Sequence, residues 1–324
     1  MAKTVQCELC PNGCVLEPGQ RSRCRARTNR EGTLYSLVYG KPCAVHVDPI
    51  EKKPFFHFLP GTKAFSIATA GCVLSCKFCQ NWQISQARPE DTDTYDLPPA
   101  QVVSNALAYQ CRSVTYTYTE PTVFYEYMYD TAIIARNRGV KNTMHSCGYI
   151  NEKPLRILSK HLDAADIDLK GFTEDFYARI CGGSLKPVLH ALTILREEKM
   201  WIEITNLVIP TLNDDMKKIA EMSSWIVRNL GADVPIHFSR FFPHYKLNNL
   251  PPTPLETLES ARKAAMDAGM KFVYIGNIRH EGESTSCPKC KKVIIERIGY
   301  FVKQNHLANG RCGFCSTAIP GVWS

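Results

Sequence analysis

Cys72, Cys76 and Cys79 stand in the spacing C-x3-C-x2-C. Three thiolates leave a four-metal site one ligand short. On a [4Fe-4S] cube that deficit gives one iron with no protein thiolate, open to a ligand from solution. A zinc held by three cysteines and one histidine is the alternative, but no histidine occurs in the forty residues after Cys79. Cys287, Cys290, Cys312 and Cys315 form C-x2-C-x21-C-x2-C, two knuckles around strand-like stretches at 293–298 and 300–302. Four thiolates with no open position suit a structural zinc, though a single iron takes the same geometry. So small a ribbon buries little core, and its metal supplies much of its stability. Cys7, Cys10, Cys14 and Cys24 form C-x2-C-x3-C-x9-C near the start. Those spacings suit zinc or an auxiliary iron–sulfur cluster, and the lack of a nearby redox partner favours zinc.

The elements that position these groups alternate in type. Strands read at 63–70, 113–118, 140–145, 164–169, 202–209, 235–241 and 271–275. Helices read at 99–111, 122–137, 154–161, 187–199, 214–229 and 255–268. Such βα alternation predicts an α/β fold of parallel strands with right-handed crossovers, the functional groups lying at the strands' carboxyl ends. The trio falls on the loop after the first strand, between Ala70–Gly71 and Gln80–Asn81. The expected division is a four-cysteine head with a lead-in (1–60), a barrel core (61–283) and a ribbon-like tail (284–324).

The strand ends carry polar groups. In Asp166-Ile167-Asp168-Leu169-Lys170 the charged residues share one parity and the aliphatic ones the other. Two carboxylates and an ammonium therefore point into the barrel while Ile167 and Leu169 face the helices. Glu120 follows another strand end in Tyr118-Thr119-Glu120-Pro121, and His145-Ser146-Cys147-Gly148 closes the next. Cys147 is either a hydrogen-atom donor or a small residue filling a gap, the second being preferred. Asn206 precedes the Ile209-Pro210 turn, and His237 and His244 flank a later strand end. His46 and His57 fall outside this pattern and read as packing or surface residues.

Composition agrees. Of 324 residues, 44% are hydrophobic and 22% charged, which excludes wholesale disorder. No apolar run approaches a membrane helix, and the start MAKTVQCELC lacks an apolar core segment. Fifteen cysteines, eleven of them in three clusters, then predict metal ligation in a reducing cytoplasm, not a disulfide scaffold. The formal charge of +8 hints at nucleic acid. Ligand thiolates with two zinc ions and a dicationic cube would lower it to about +3, which points away from such a partner. A non-catalytic zinc or iron–sulfur protein, binding nucleic acid or transferring electrons, is the remaining alternative class.

The segment Cys72-Val-Leu-Ser-Cys76-Lys-Phe78-Cys79 resembles the signature of radical S-adenosylmethionine enzymes, including the aromatic residue before the last cysteine. Tyr118-Thr119-Glu120-Pro121 occupies the place of that family's Gly-Gly-Glu-Pro, and Asp168-Leu-Lys170 resembles the Asp-x-Lys of glycyl-radical-enzyme activases. Ile209-Pro-Thr-Leu-Asn213-Asp214 is similar to the activases' Ile-Pro-Gly-x-Asn-Asp turn, and Val273-Tyr-Ile275-Gly276-Asn277 to the strand beside the adenine. The head, the segment from His46 to Pro54 and the ending Ile319-Pro-Gly-Val-Trp323 resemble the radical enzyme of the AmmeMemoRadiSam system, related to pyruvate formate-lyase-activating enzymes. Both signature glycines are replaced, by Tyr118 and Thr119, and the activases' fifth-strand arginine is replaced by Thr205 or Asn206.

The resemblance implies a partial (β/α)6 TIM-like barrel and an oxidoreductase. Cys72, Cys76 and Cys79 would hold the cluster. Glu120, with Thr119 beside it, and Asp168 would receive the methionine amino group, and Lys170 its carboxylate. Asn206 would line the site, and Phe78, Ile275 and Asn277 would flank the adenine. A ferredoxin or flavodoxin would donate the electron. The substrate would be a small molecule or, as for an activase, a partner protein.

Overall fold

The computed structural model describes residues 3–324. Its centre is an eight-stranded sheet. In chain order the strands are β1 (Ala44–Pro49), β2 (Lys63–Ala68), β3 (Ser113–Tyr116), β4 (Lys141–Ser146), β5 (Ala164–Asp168), β6 (Trp201–Val208), β7 (Ile236–Arg240) and β8 (Val273–Gly276). Each strand pairs with the next, all parallel except β1 against β2, and β1 and β8 form two free edges. The sheet is thus a partial barrel. The antiparallel edge strand β1 was not read from the sequence, which placed these residues in the lead-in.

The crossovers are α1 (Pro99–Ala108), α2 (Tyr125–Asn137), α3 (Glu152–Ser159), α4 (Leu185–Glu197), α5 (Met216–Asn229) and α6 (Leu255–Asp267). Local chemistry sets their starts. Pro99 opens α1 where its missing N–H costs nothing, and the Asp215 carboxylate caps α5 by accepting from Lys217 N. Each helix lays its apolar face on the sheet, so Val102, Met128, Leu155, Leu192, Ile226 and Leu258 join one core. Among the described residues, no helix is long and apolar enough to cross a membrane.

The barrel's inner face is polar. Ser66, Thr115, Thr143, Asp166, Glu203 and His237 are all buried there, while Ile167, Ile204 and Ile236 pack outward against the helices. Buried polar groups seek partners, and most of these find them: Thr115 and Thr143 share a 2.7 Å hydroxyl bond, and Thr205 donates to Asp166 at 3.0 Å, while the Ser66 hydroxyl is unpartnered.

Residues 50–59 cross to the far side of the barrel. Glu203 on β6 accepts from Phe56 N at 3.0 Å, His57 N at 2.7 Å and His237 Nε2 at 2.8 Å. His57 is not on the surface: it is fully buried, bonded to Tyr274 Oη at 2.6 Å and to the Pro320 carbonyl at 2.7 Å. The tail hairpin, at Val293–Ile298 and Phe301–Asn305, is fastened to the same segment. Arg297 donates to the Phe56 carbonyl at 2.7 Å, and Leu59 N donates to Val322 O at 2.7 Å.

The head packs on the cysteine loop. Asn12 Nδ2 donates to Val73 O at 2.8 Å, and Arg23 to Gly182 O at 2.6 Å. Gly71, at φ +99°, lies so near the Cys24 carbonyl that a Cβ would sit 2.3 Å from its oxygen. No other residue type tolerates both constraints.

Candidate active site

A cavity of about 410 Å3 opens at the carboxyl ends of the strands, within the size range of cofactor sites. Cys72, Cys76 and Cys79 line it, with Phe78 beside them. Thr119, Glu120, Cys147, Asp168, Lys170 and Asn277 complete its polar wall. The loop, β3, β4, β5 and β8 thus converge on one space. Asn206 and Ile275 do not reach it. Asn206 turns outward and donates to the Leu169 carbonyl at 2.7 Å, because its parity on β6 is opposite to that of Thr205, which lines the cavity instead. Ile275 is fully buried in the hydrophobic core.

The charged centre is a chain of four groups. Lys170 Nζ lies 2.7 Å from Asp168 Oδ2. His145 bridges the two carboxylates, Nδ1 at 2.5 Å from Asp166 and Nε2 at 3.4 Å from Asp168. Burial opposes the His145 charge, but Asp168 and Asp166 outweigh it and raise the imidazolium to about 10. Burial pushes Asp166 up to about 6. Asp168 is held well below the usual carboxylate range: burial works against its charge, and Lys170 and His145 overcome it. Two cations and two anions therefore balance, while Asp168 and Lys170 remain partly open to the cavity.

Glu120 is more committed. Its Oε1 accepts from Thr122 N at 3.1 Å, Thr122 Oγ1 at 2.7 Å and Ser146 Oγ at 2.8 Å, and its Oε2 accepts from Cys147 N at 2.8 Å. A carboxylate has about four lone-pair directions, so further hydrogen bonding is confined to Oε2. Thr119 Oγ1 donates to Thr69 O at 2.9 Å. Burial pushes the Cys147 thiol well up, and Glu120 adds to the effect.

Sequence reasoning missed other wall residues. Tyr118, Lys52 and Lys53 line the same cavity. Cys181 is also buried beside the loop, its carbonyl accepting from Ser75 N at 2.9 Å. His237 and His244 stay outside the cavity lining; His237 is engaged by Glu203 below it.

The tail thiols converge separately. Cys287 and Cys315 Sγ are 3.6 Å apart, and Cys290 and Cys312 Sγ 3.7 Å. Four sulfurs 2.3 Å from one tetrahedral zinc would stand about 3.8 Å apart. Among the described residues this is the one set whose ligand atoms all fall within 4.8 Å of one another. The head cysteines are packed together in the fold but stand wider.

Residues 66–223, from β2 through the cysteine loop into α5, match the Radical SAM superfamily. The chain is also 45% identical over 321 residues to the uncharacterized protein MJ0808 of Methanocaldococcus jannaschii, covering 98% of this chain and 96% of that protein. The chain belongs to the radical SAM superfamily. A more distant relative of this radical SAM protein is the pyruvate formate-lyase-activating enzyme of Staphylococcus epidermidis, 24% identical over 234 residues, 66% of this chain and 89% of that enzyme. Solved structures share the fold. Streptococcus suis SuiB bound to S-adenosylmethionine superposes with a TM-score of 0.53 at 14% identity, over 70% of this chain and 53% of that one. A radical SAM methyltransferase from Sphaerobacter thermophilus gives 0.53 at 13% identity, over 68% of each chain.

Proposed function

We propose that this radical SAM enzyme cleaves S-adenosylmethionine reductively and abstracts a hydrogen atom from a substrate held in the barrel cavity. The observation that carries the reading is the meeting of three thiols, one ligand short of a cube, with the Asp168–Lys170 pair on one cavity wall. When bound, the [4Fe-4S] cluster and S-adenosylmethionine supply the electron, the carbon–sulfur cleavage and the 5′-deoxyadenosyl radical.

The chain's own residues bind and orient. Cys72, Cys76 and Cys79 would hold three irons. Asp168, ionised and partly open, would accept from the amino group, and Glu120 would offer the remaining direction of Oε2. Lys170 would meet the carboxylate as a point charge. Phe78 and Asn277 would bound the adenine. His145 keeps Asp168 in place and neutralises Asp166, so the centre stays charge-balanced in a site that sheds water.

The tail's sulfur spacing supports a structural zinc. The head, packed by Gly71 and Asn12 against the cysteine loop, would hold with its four thiols a second iron–sulfur cluster suited to relay electrons from a ferredoxin- or flavodoxin-like donor. The likeness to a pyruvate formate-lyase-activating enzyme favours a second reading, an activase whose substrate is a partner protein.

Anaerobic reconstitution with iron and sulfide tests the assignment. The reduced protein is expected to give a [4Fe-4S]+ resonance that shifts when S-adenosylmethionine is added and disappears from the Cys76→Ala variant. A resonance indifferent to S-adenosylmethionine would remove the open-iron reading.

A further inference from the structure

Lys53 is a buried cation on the cavity wall, 3% exposed. Its Nζ lies 2.7 Å from Asp48 Oδ2 and 3.9 Å from the centre of the Tyr118 ring. Asp48 Oδ1 is shared with Lys52 Nζ at 2.9 Å, and the Tyr118 hydroxyl donates to Asp48 Oδ2. Two ammonium groups thus divide one carboxylate, leaving a net positive charge. The Asp166–His145–Asp168–Lys170 chain on the same cavity is balanced. Asp48 pairs the buried Lys53, and the surplus charge sits on Lys52, whose side chain is 43% exposed, so this wall stays net positive toward an incoming anion.

The backbone points the same way. Tyr118 sits at φ +61°, where a glycine would be relaxed and a tyrosine is strained. What the tyrosine contributes is an aromatic face under the Lys53 ammonium and a hydroxyl to Asp48. An ammonium has three N–H donors. Asp48 takes one and the ring faces another, so one is left for a ligand.

We propose that Lys53, assisted by Lys52, binds an anionic oxygen group, carboxylate or phosphate, on the molecule the radical attacks. Asp48 and Tyr118 are positioning residues that hold the ammonium in place. The assignment rests on the reading of this cavity as the reaction chamber, but its test does not depend on turnover. It gives the substrate a charge sign and places that charge on the wall formed by residues 52–54 and Tyr118.

The test is equilibrium binding to the reconstituted full-length chain with S-adenosylmethionine present, using inorganic phosphate and malonate as separate probes in calorimetry. Saturable binding of one probe per chain is expected, weakened about tenfold in Lys53→Met, the loss of one charge-assisted hydrogen bond. Lys53→Arg is expected to retain binding within about threefold, and Lys263→Met, on the surface of α6, to match wild type. The tighter probe tells carboxylate from phosphate. If Lys53→Met does not fold, Lys52→Met is read in its place, with about threefold weakening expected. Equal binding by wild type and variants, or no binding of either probe, overturns the proposal. Failure of the radical chemistry itself would appear instead as absence of 5′-deoxyadenosine.

Discussion

Replacing Arg297 by methionine should damage the joint between tail and barrel in a way that depends on pH. The guanidinium is fully buried, donates to Phe56 O at 2.7 Å and Thr285 Oγ1 at 2.8 Å, and covers the Phe56 ring at 4.2 Å. Its Nε is 3.8 Å from Glu51, whose Oε1 also accepts from Gly61 N at 2.8 Å. Methionine fills similar volume but leaves a buried carboxylate without a cation and the Phe56 carbonyl without its donor. Breaking a buried ion pair costs about 3–5 kcal/mol; the long contact places this case near 3. The sign with pH follows from Glu51. Burial already holds its carboxyl above the ordinary value, with Arg297 opposing, and removing Arg297 raises it further. The variant's folded state holds that proton to higher pH than the wild type's does, so the deficit grows as pH rises from the wild-type folded value through the variant's higher one. The assay is urea unfolding of the metal-loaded chain at pH 5 and pH 7.5. With a slope of about 3 kcal/mol per M, the midpoint should fall by about 1 M at pH 7.5 and by less at pH 5. A fall under about 0.3 M at pH 7.5, or one larger at pH 5, would refute the reasoning.

Metal analysis of reconstituted protein should give one zinc and about eight irons per chain, and Cys290→Ser should lose the zinc alone; two zincs with about four irons would return the head to zinc. Gly71→Ala should cost about 2 kcal/mol or more and impair iron retention, since its Cβ would strike the Cys24 carbonyl; an unchanged melting temperature and iron content would contradict that packing. His145 is raised to about 10 by Asp168 and Asp166 acting against burial, so its contribution is full below about 6.5 and is lost as pH rises through 10. Wild-type stability should therefore fall between pH 7 and 10 more steeply than that of His145→Gln, measured by urea midpoints; parallel curves would remove the ion-pair account.

Local pattern made much of the fold legible. The parity of Asp166, Asp168 and Lys170 against Ile167 and Leu169 correctly placed charges inside and aliphatics outside, because β5 is flanked by strands and faced by helices. The strand readings ran past the ladders, to residue 70 and to residue 118, because those residues leave the sheet to form the site loops. Edge strand β1 was illegible: His46 and Val47 are exposed, so no apolar alternation marks it. Asn206, expected in the site, turns outward while Thr205 lines the cavity, a one-residue parity difference that reverses the face of the strand. The Glu203–His237–His57 network and the Lys53–Asp48–Tyr118 group join residues distant in sequence. Only the folded chain brings those partners together.

The central claim is that Cys72, Cys76 and Cys79 leave one iron open to S-adenosylmethionine beside Asp168 and Lys170. It is tested most directly by supplying reconstituted, dithionite-reduced protein with S-adenosylmethionine under anaerobic conditions and measuring 5′-deoxyadenosine. The account predicts its formation by wild type, its absence from Cys76→Ala, and a raised S-adenosylmethionine requirement in Lys170→Met. No 5′-deoxyadenosine from wild-type protein that carries the intact cluster would contradict it.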